Sequence, residues 1–409
     1  MPGLEEEEEP PSFKGLSIKD RFLSKVPLQD WNDWKWQFRN RITSVEELAR
    51  YLPLSSTEKT QMKLVMSRYP FSVTPYYLSL INPADKNDPI RKQALPCFEE
   101  ITMADMGEED PLEEKRDSVV PGLVHRYPDR VLMVLTDICP MLCRHCTRKR
   151  EWQHGGWVRQ MDELEPMLDY IRSHPQVRDV IISGGDVLTL STARLEKVLQ
   201  KLRAIESVEI IRIGSRYPVV LPQRIDQELC DMLSNYGPIW FNTHFNHPNE
   251  ITPEAARACD MLVRAGVPVN NQCVLLRGIN DSVETQLKLS HKLLKSKVRP
   301  YYLFQCDEVR GTEHLRTPVE TGIRIIDGMR GHTSGLAVPT FVIDLPSGGG
   351  KVPLQPDYVL SHTPERLILR NYQNRVITFR NPGAGQTGKA EVETQQELAV
   401  NEDRTLVRS

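Results

Sequence analysis

The spacing of apolar and polar positions changes character along the chain. Between residues 13 and 120 apolar residues come in short groups broken by prolines and polar clusters, which predicts a series of short helices. Ser44 stands three residues before Glu47, the spacing of a capping box, and predicts a short helix through Tyr51 with Pro53 as its stop. Thr74-Pro75-Tyr76-Tyr77 marks another break, and Asn82 to Pro89 is loop-rich. From Val131 the pattern becomes strand, loop, helix, repeated. Apolar runs predict strands at Val131–Leu135, Val180–Ser183, Val208–Ile213, Ile239–Asn242, Val267–Leu276 and Val298–Phe304. Between them Leu164, Leu168 and Ile171 share one helical face, as do Leu195, Val198, Leu199 and Leu202. Asp226 and Thr252 are expected N-caps, the second followed by Pro253 in the first turn. Further on come a helical segment at Val319–Met329, a strand at Val338–Ile343, and a hairpin pairing Leu367–Arg370 with Val376–Phe379.

Repeated βα units predict an α/β fold, with a parallel sheet covered by helices and closed or partly closed into a barrel. The pattern alone leaves open an eight-strand barrel, a six-strand open barrel and a doubly wound sheet. Residues 1–12 are an acidic, Pro-containing leader expected to be disordered, and 383–409 reads as a polar tail.

Composition changes the picture mainly by exclusion. Hydrophobic residues at 39% and charged residues at 26% describe a soluble globular protein, and a net charge of -3 gives no reason for a nucleic-acid or membrane surface. The basic, Trp-rich segment Trp31–Arg41 accordingly reads as a helical extension packed on the main domain. No apolar run reaches about 18 residues, so no transmembrane helix is expected, and the N-terminus lacks the pattern of a secretory signal. Of eight cysteines, Cys97, Cys230, Cys259, Cys273 and Cys306 are scattered and read as reduced packing residues. A reducing, cytoplasmic compartment follows.

The other three cysteines are concentrated. Thr136-Asp137-Ile138-Cys139-Pro140-Met141-Leu142-Cys143-Arg144-His145-Cys146 follows the first predicted barrel strand directly. Three thiolates suit an iron–sulfur cube with one open iron. A structural zinc needs a fourth ligand, for which crowded His145 is the candidate; reduced core cysteines are the plain alternative. Ser183-Gly184-Gly185-Asp186 ends the second barrel strand, where two glycines permit close backbone approach or simply a sharp turn. Asn242, His244 and Gln272 lie near other strand ends, where hydrogen bonding across the barrel mouth is their ordinary role. Lys351 follows three glycines and is flanked by Pro346 and Pro353, a setting that suits a Schiff-base lysine for pyridoxal phosphate. Arg126, Tyr127 and Arg130 precede the cysteine strand and offer donors to a phosphate.

The C-x3-C-x2-C spacing resembles the signature of radical S-adenosylmethionine enzymes. The wider pattern resembles the pyridoxal-phosphate-dependent lysine 2,3-aminomutases, through His125-Arg126-Tyr127-Pro128, Thr147-Arg148-Lys149-Arg150, Ser183–Asp186, Arg212–Arg216, Leu221–Arg224, Asn242–Pro248, Leu275–Asn280, Arg330–Gly335 and Asp344–Pro353. The likeness runs from about Asn40 to Pro382. It implies a partial (β/α)6 barrel of the radical enzyme type, divided as a helical extension (13–120), the barrel (121–315) and a C-terminal segment bringing the cofactor lysine (316–382). It implies a [4Fe-4S] cluster on Cys139, Cys143 and Cys146, with S-adenosylmethionine held by Ser183, Gly184, Gly185, Asp186, His244 and Gln272. Pyridoxal 5'-phosphate falls to Arg126, Tyr127, Arg130 and Lys351. Arg148 is assigned to the substrate carboxylate, Asp307 and Asp344 to its distal ammonium. The implied reaction is migration of the α-amino group of lysine to the β-carbon, with a one-electron reductant such as flavodoxin or ferredoxin and a homo-oligomeric assembly.

Three features qualify the likeness. Relatives acting on glutamate carry a non-acidic pair at the positions of Asp307 and Asp344; the acidic pair here suits a cationic amino acid, with arginine as the alternative to lysine and a non-catalytic cluster-binding regulator as a distant one. The family's zinc site uses a Cys after the Arg277-Gly278-Ile279-Asn280-Asp281 turn and C-terminal cysteines. Here Ser282 follows the turn and every Cys precedes residue 307, so zinc is not expected. The loop Glu151-Trp152-Gln153-His154-Gly155-Gly156-Trp157 is bulkier than that of the usual lysine enzyme and bears on the pocket entrance.

Overall fold

The computed structural model describes residues 15–153 and 155–381. The leader and tail read from the sequence therefore lie outside the described residues. From Ile18 to Thr102 the chain forms eight short helices. Ser44 Oγ accepts from Glu47 N, as its spacing predicts, but Glu47 reaches back to Thr43 N rather than to Ser44, and the helix is one turn, Val45–Leu48. Trp31 is buried in this extension, and Arg224 of the barrel lies over the Trp34 ring. The aromatic segment is thus packing material.

One ten-stranded sheet carries the rest: β1 (Ser118–Val120), β2 (Leu123–Tyr127), β3 (Arg130–Val134), β4 (Asp179–Ser183), β5 (Ile210–Gly214), β6 (Ile239–Thr243), β7 (Val269–Leu275), β8 (Val298–Gln305), β9 (Thr340–Leu345) and β10 (Gly350–Pro353), in that spatial order. β3 to β9 pair in parallel, while β1, β2 and β10 are antiparallel margins. Helices Glu165–Ser173, Thr192–Arg203, Gln227–Ser234, Pro253–Arg264, Val283–Lys295 and Val319–Met329 fill the six crossovers. Six βα units are therefore present, and β9 continues the sheet as a seventh parallel strand. The margins are drawn together by side chains: Lys351 N on β10 donates to the Tyr127 hydroxyl on β2 at 3.0 Å, and Arg116 donates to Ser347 O at 3.1 Å.

The helical stripes predicted from spacing are the buried ones. Leu195, Val198, Leu199 and Leu202 are all 2% exposed or less, and each such side chain contributes about 1.5–3 kcal/mol before ordering entropy is subtracted. Asp226 and Thr252 cap their helices by accepting from Leu229 N and Ala255 N. Gly322 lies in a helix despite its poor propensity because Phe341 of β9 is pressed against it: a Cβ there would meet the ring at 2.1 Å. The predicted hairpin forms, with Leu367 opposite Phe379, and Val359–His362 adds a third strand.

Candidate active site

Because β3 to β9 are parallel, all their C-terminal ends open on one rim, the preferred place for a site in such folds. β3 leads into the cysteine loop, β4 into Gly184-Gly185-Asp186, β5 into Arg216, β6 into His244, and β8 into Asp307; Asp344 lies at the end of β9. The exceptions among the candidate residues are those on β2, β10 and the start of β3, and Gln272, which the sequence placed near a strand end but which lies inside β7.

The cysteine loop is held from three sides. Its backbone lies directly on the Gly184-Gly185 turn, where a Cβ on Gly184 would meet Thr136 O at 2.3 Å and one on Gly185 would meet Asp137 C at 2.4 Å. The two glycines are thus required by the loop itself. The helical extension binds it next: Arg41 donates to Cys139 O, Leu142 N to Ser72 O and Arg144 N to Gln93 O. Finally, Arg144 and Lys149 both turn inward onto Glu100, with Lys149 Nζ 2.6 Å from its carboxylate and all three side chains at most 1% exposed. Trp152 packs over Arg144 and Lys149, at 5.1 and 5.5 Å, so its ring backs this buried charge cluster.

The thiols interact with each other. Burial raises the Cys139 pKa, reinforced by Asp186, Cys146 and Cys143; burial, and then Cys143, push Cys146 up to about 11. Among the described residues no three His, Cys, Asp or Glu side chains converge on a single-ion site. Three thiols on one short loop are instead the donor set of an iron–sulfur cube that leaves one iron open, so these residues fit a cluster. Arg216 donates to Cys143 Sγ at 2.8 Å and is held by Glu250 (2.8 Å), Gln93 (2.6 Å) and His244 O (3.0 Å).

Around the turn, Asp186 accepts from Leu188 N and Arg216 N, and burial pushes it up to about 7. It ties the turn to β5. His244 Nδ1 meets Gln272 O at 3.0 Å, and burial, then Arg216, bring the imidazole down to about 4. Ser183 is the last residue of β4.

On the opposite side of the rim, Lys351 stands directly across from Asp344 in the β9–β10 ladder, with Nζ 2.9 Å from Asp344 Oδ1 and 5.3 Å from the Phe304 ring centre. Arg130 stacks on Tyr127 at 4.0 Å, and Arg126 pairs with Asp117 at 2.7 Å. An accessible amine, aromatic rings and arginines are the donor set that pyridoxal phosphate requires. Asp307 is pushed up to about 7 by burial and by Asp344. Both aspartates line a cavity of about 390 Å³ shared with Leu112, Ile343, Arg316 and Arg277. Arg148 sits between the two halves, bound to Glu114 and to Gly184 O.

Comparison with known proteins places this arrangement. The radical SAM superfamily model matches residues 133–289, and the lysine-2,3-aminomutase model matches 326–407. An L-lysine 2,3-aminomutase of Fusobacterium nucleatum is 54% identical over 367 residues, covering 90% of this chain and 86% of that one. The chain belongs to the lysine 2,3-aminomutase family. An L-lysine 2,3-aminomutase of Clostridium subterminale is 56% identical over 353 residues (86% of this chain, 85% of the relative), and a glutamate 2,3-aminomutase of Clostridioides difficile 41% over 383 (93% and 90%). Membership makes the chain a radical isomerase with a [4Fe-4S] cluster, S-adenosylmethionine and pyridoxal phosphate as its cofactors.

Sequence reading missed several parts of this aminomutase site: Glu100, Glu114, Gln93, Arg216 as a thiolate partner, and Glu250. The signal available was the number of cations in and after the cysteine loop, each of which demands a counter-ion once buried.

Proposed function

We propose that this aminomutase interconverts L-lysine and L-β-lysine by 2,3-migration of the amino group. The observation that carries the reading is the pair Asp307 and Asp344 beside Lys351, two carboxylates lining one cavity where a distal ammonium finds compensation. Asp344 already accepts an ε-ammonium, that of Lys351. When bound, the cluster and S-adenosylmethionine supply a 5'-deoxyadenosyl radical, and pyridoxal phosphate supplies stabilisation of the migrating nitrogen.

In this reading Cys139, Cys143 and Cys146 hold three irons, while Ser183, Gly184, Gly185, Asp186, His244 and Gln272 shape the adjoining S-adenosylmethionine site. Arg126, Tyr127 and Arg130 hold the phosphate and ring, and Lys351 Nζ is the point of attachment. Arg148 takes the α-carboxylate, and the aspartates fix the far end, so the substrate is held at both ends. Such positioning is worth roughly 7–11 kcal/mol when it brings reacting atoms into register. A one-electron reductant such as flavodoxin or ferredoxin, and a cytoplasmic location, accord with this chemistry and with eight free cysteines. Val359, Leu360, Val376, Ile377 and Phe379 lie half or more exposed on the three-stranded C-terminal sheet, which supports a homo-oligomer.

The test is Asp307→Asn and Asp344→Asn, with lysine and arginine turnover measured beside S-adenosylmethionine cleavage. Each replacement is expected to cut kcat/KM for lysine while cleavage continues. Unchanged kcat/KM for every cationic substrate, with cofactors intact, would reject the pair; loss on arginine alone would transfer the assignment to arginine.

A further inference from the structure

The guanidinium of Arg148 does not stand free. Its Nε and Nη2 donate to the two oxygens of Glu114 at 3.0 and 2.7 Å, a bidentate pair, and its Nη1 donates to Gly184 O at 2.9 Å. A guanidinium has five N–H donors. Three are therefore committed, and one remains on each Nη.

Glu114 is itself fixed. Its Oε2 also accepts from Arg150 at 2.9 Å, and its side chain is 15% exposed. The loop that carries it is pinned on either side: Asp110 pairs with Arg150 at 3.3 Å, and Asp117 pairs with Arg126 at 2.7 Å. Arg126 also donates to Leu112 O. An acid held by two arginines on a doubly anchored loop is a fixture of the site, unlike a surface acid that a ligand displaces. The arginines hold its carboxyl down to about 2 against burial, so it stays charged throughout the working range.

Resting on the assignment of Arg148 to the substrate carboxylate, we infer that Glu114 is a positioning residue, which clamps one edge of the Arg148 guanidinium so that its remaining donors meet that carboxylate. The same clamp holds Arg148 against Gly184 O. It thereby keeps the carboxylate site in register with the turn assigned to S-adenosylmethionine. Glu114 does not touch the substrate in this arrangement; it acts through Arg148.

The experiment uses the fully loaded enzyme and compares Glu114→Gln, Glu114→Asp, Arg148→Met and the Glu114→Gln/Arg148→Met double variant. Gln keeps the shape and loses the bidentate charge, so KM for lysine is expected to rise about tenfold with kcat within about threefold, the scale of one charge-assisted hydrogen bond. Asp, which keeps the charge, is expected to recover part of the loss. The double variant is expected to be no worse in KM than Arg148→Met alone, an equality that a merely structural role would not produce. If Glu114→Gln does not fold, Glu114→Asp and its double variant with Arg148→Met are read by the same two criteria. An unchanged or lowered KM in the Glu114 variant overturns the proposal, and lowering would identify Glu114 as a competitor for Arg148. Additive losses in the double variant overturn it as well. If Arg148→Met alone leaves KM unchanged, the carboxylate assignment fails first, and with it the inference.

Discussion

Lys351 Nζ and Asp344 Oδ1 lie 2.9 Å apart across adjacent antiparallel strands, with the aspartate side chain 6% exposed. One strand pair thus carries both the proposed cofactor attachment point and one half of the proposed substrate-cation site. Replacing Lys351 by Ala is expected to abolish the covalent pyridoxal chromophore while iron content stays at about four per chain. Visible spectroscopy with iron analysis checks this. A surviving covalent chromophore would assign the attachment to another lysine.

Asp307 gives a pH dependence of defined sign. Its pKa, raised to about 7, means that the fold favours the neutral acid between the ordinary carboxylate range and neutrality. There the native state binds the extra proton, so this group's contribution to stability falls as pH rises through that window. Its charge, which a cationic substrate needs, appears as pH rises through about 7. Below that point kcat/KM for lysine is expected to drop roughly tenfold per pH unit. In Asp307→Asn that limb should be missing; the same limb in the variant would place the titration elsewhere.

Glu100 compensates two buried cations, Arg144 and Lys149. Glu100→Gln leaves them without a full counter-charge, which is expected to cost about 3–5 kcal/mol. Since both cations belong to the cysteine segment, cluster retention should fall with stability. Denaturant unfolding and iron stoichiometry after gel filtration measure the two effects together.

Gly185→Ala places a methyl group 2.4 Å from the Asp137 carbonyl carbon. Backbone cannot yield as a flexible side chain does, so the cysteine loop must shift. We expect poor cluster assembly in a chain that otherwise folds, seen as low sulfide and iron with normal circular dichroism. Full cluster occupancy would show that the loop has room the structure does not display.

The strands of the barrel were legible because both faces of a parallel strand are covered, leaving continuous apolar runs such as Val180-Ile181-Ile182. β1, β2 and β10 were not. β10 is the edge segment Gly350-Lys351-Val352-Pro353, and the three glycines before Lys351, the last of which opens the strand, read as loop. The position of Lys351 was readable; its strand, and its pairing with Asp344, were not. The glycines at 184 and 185 were read as allowing a close backbone approach or simply a sharp turn, and the nearest atoms belong to the cysteine loop itself. Partners such as Glu100 and Arg144, or Gln93 and Arg216, lie far apart in sequence, so the need for a counter-ion was visible and its identity was not.

The most direct measurement is anaerobic turnover of L-lysine by the reconstituted protein with S-adenosylmethionine, pyridoxal phosphate and dithionite, followed by product analysis. The account predicts L-β-lysine, formed with kcat/KM far above that for glutamate. A protein with full cluster and bound pyridoxal phosphate that moves no amino group on any basic amino acid would contradict it.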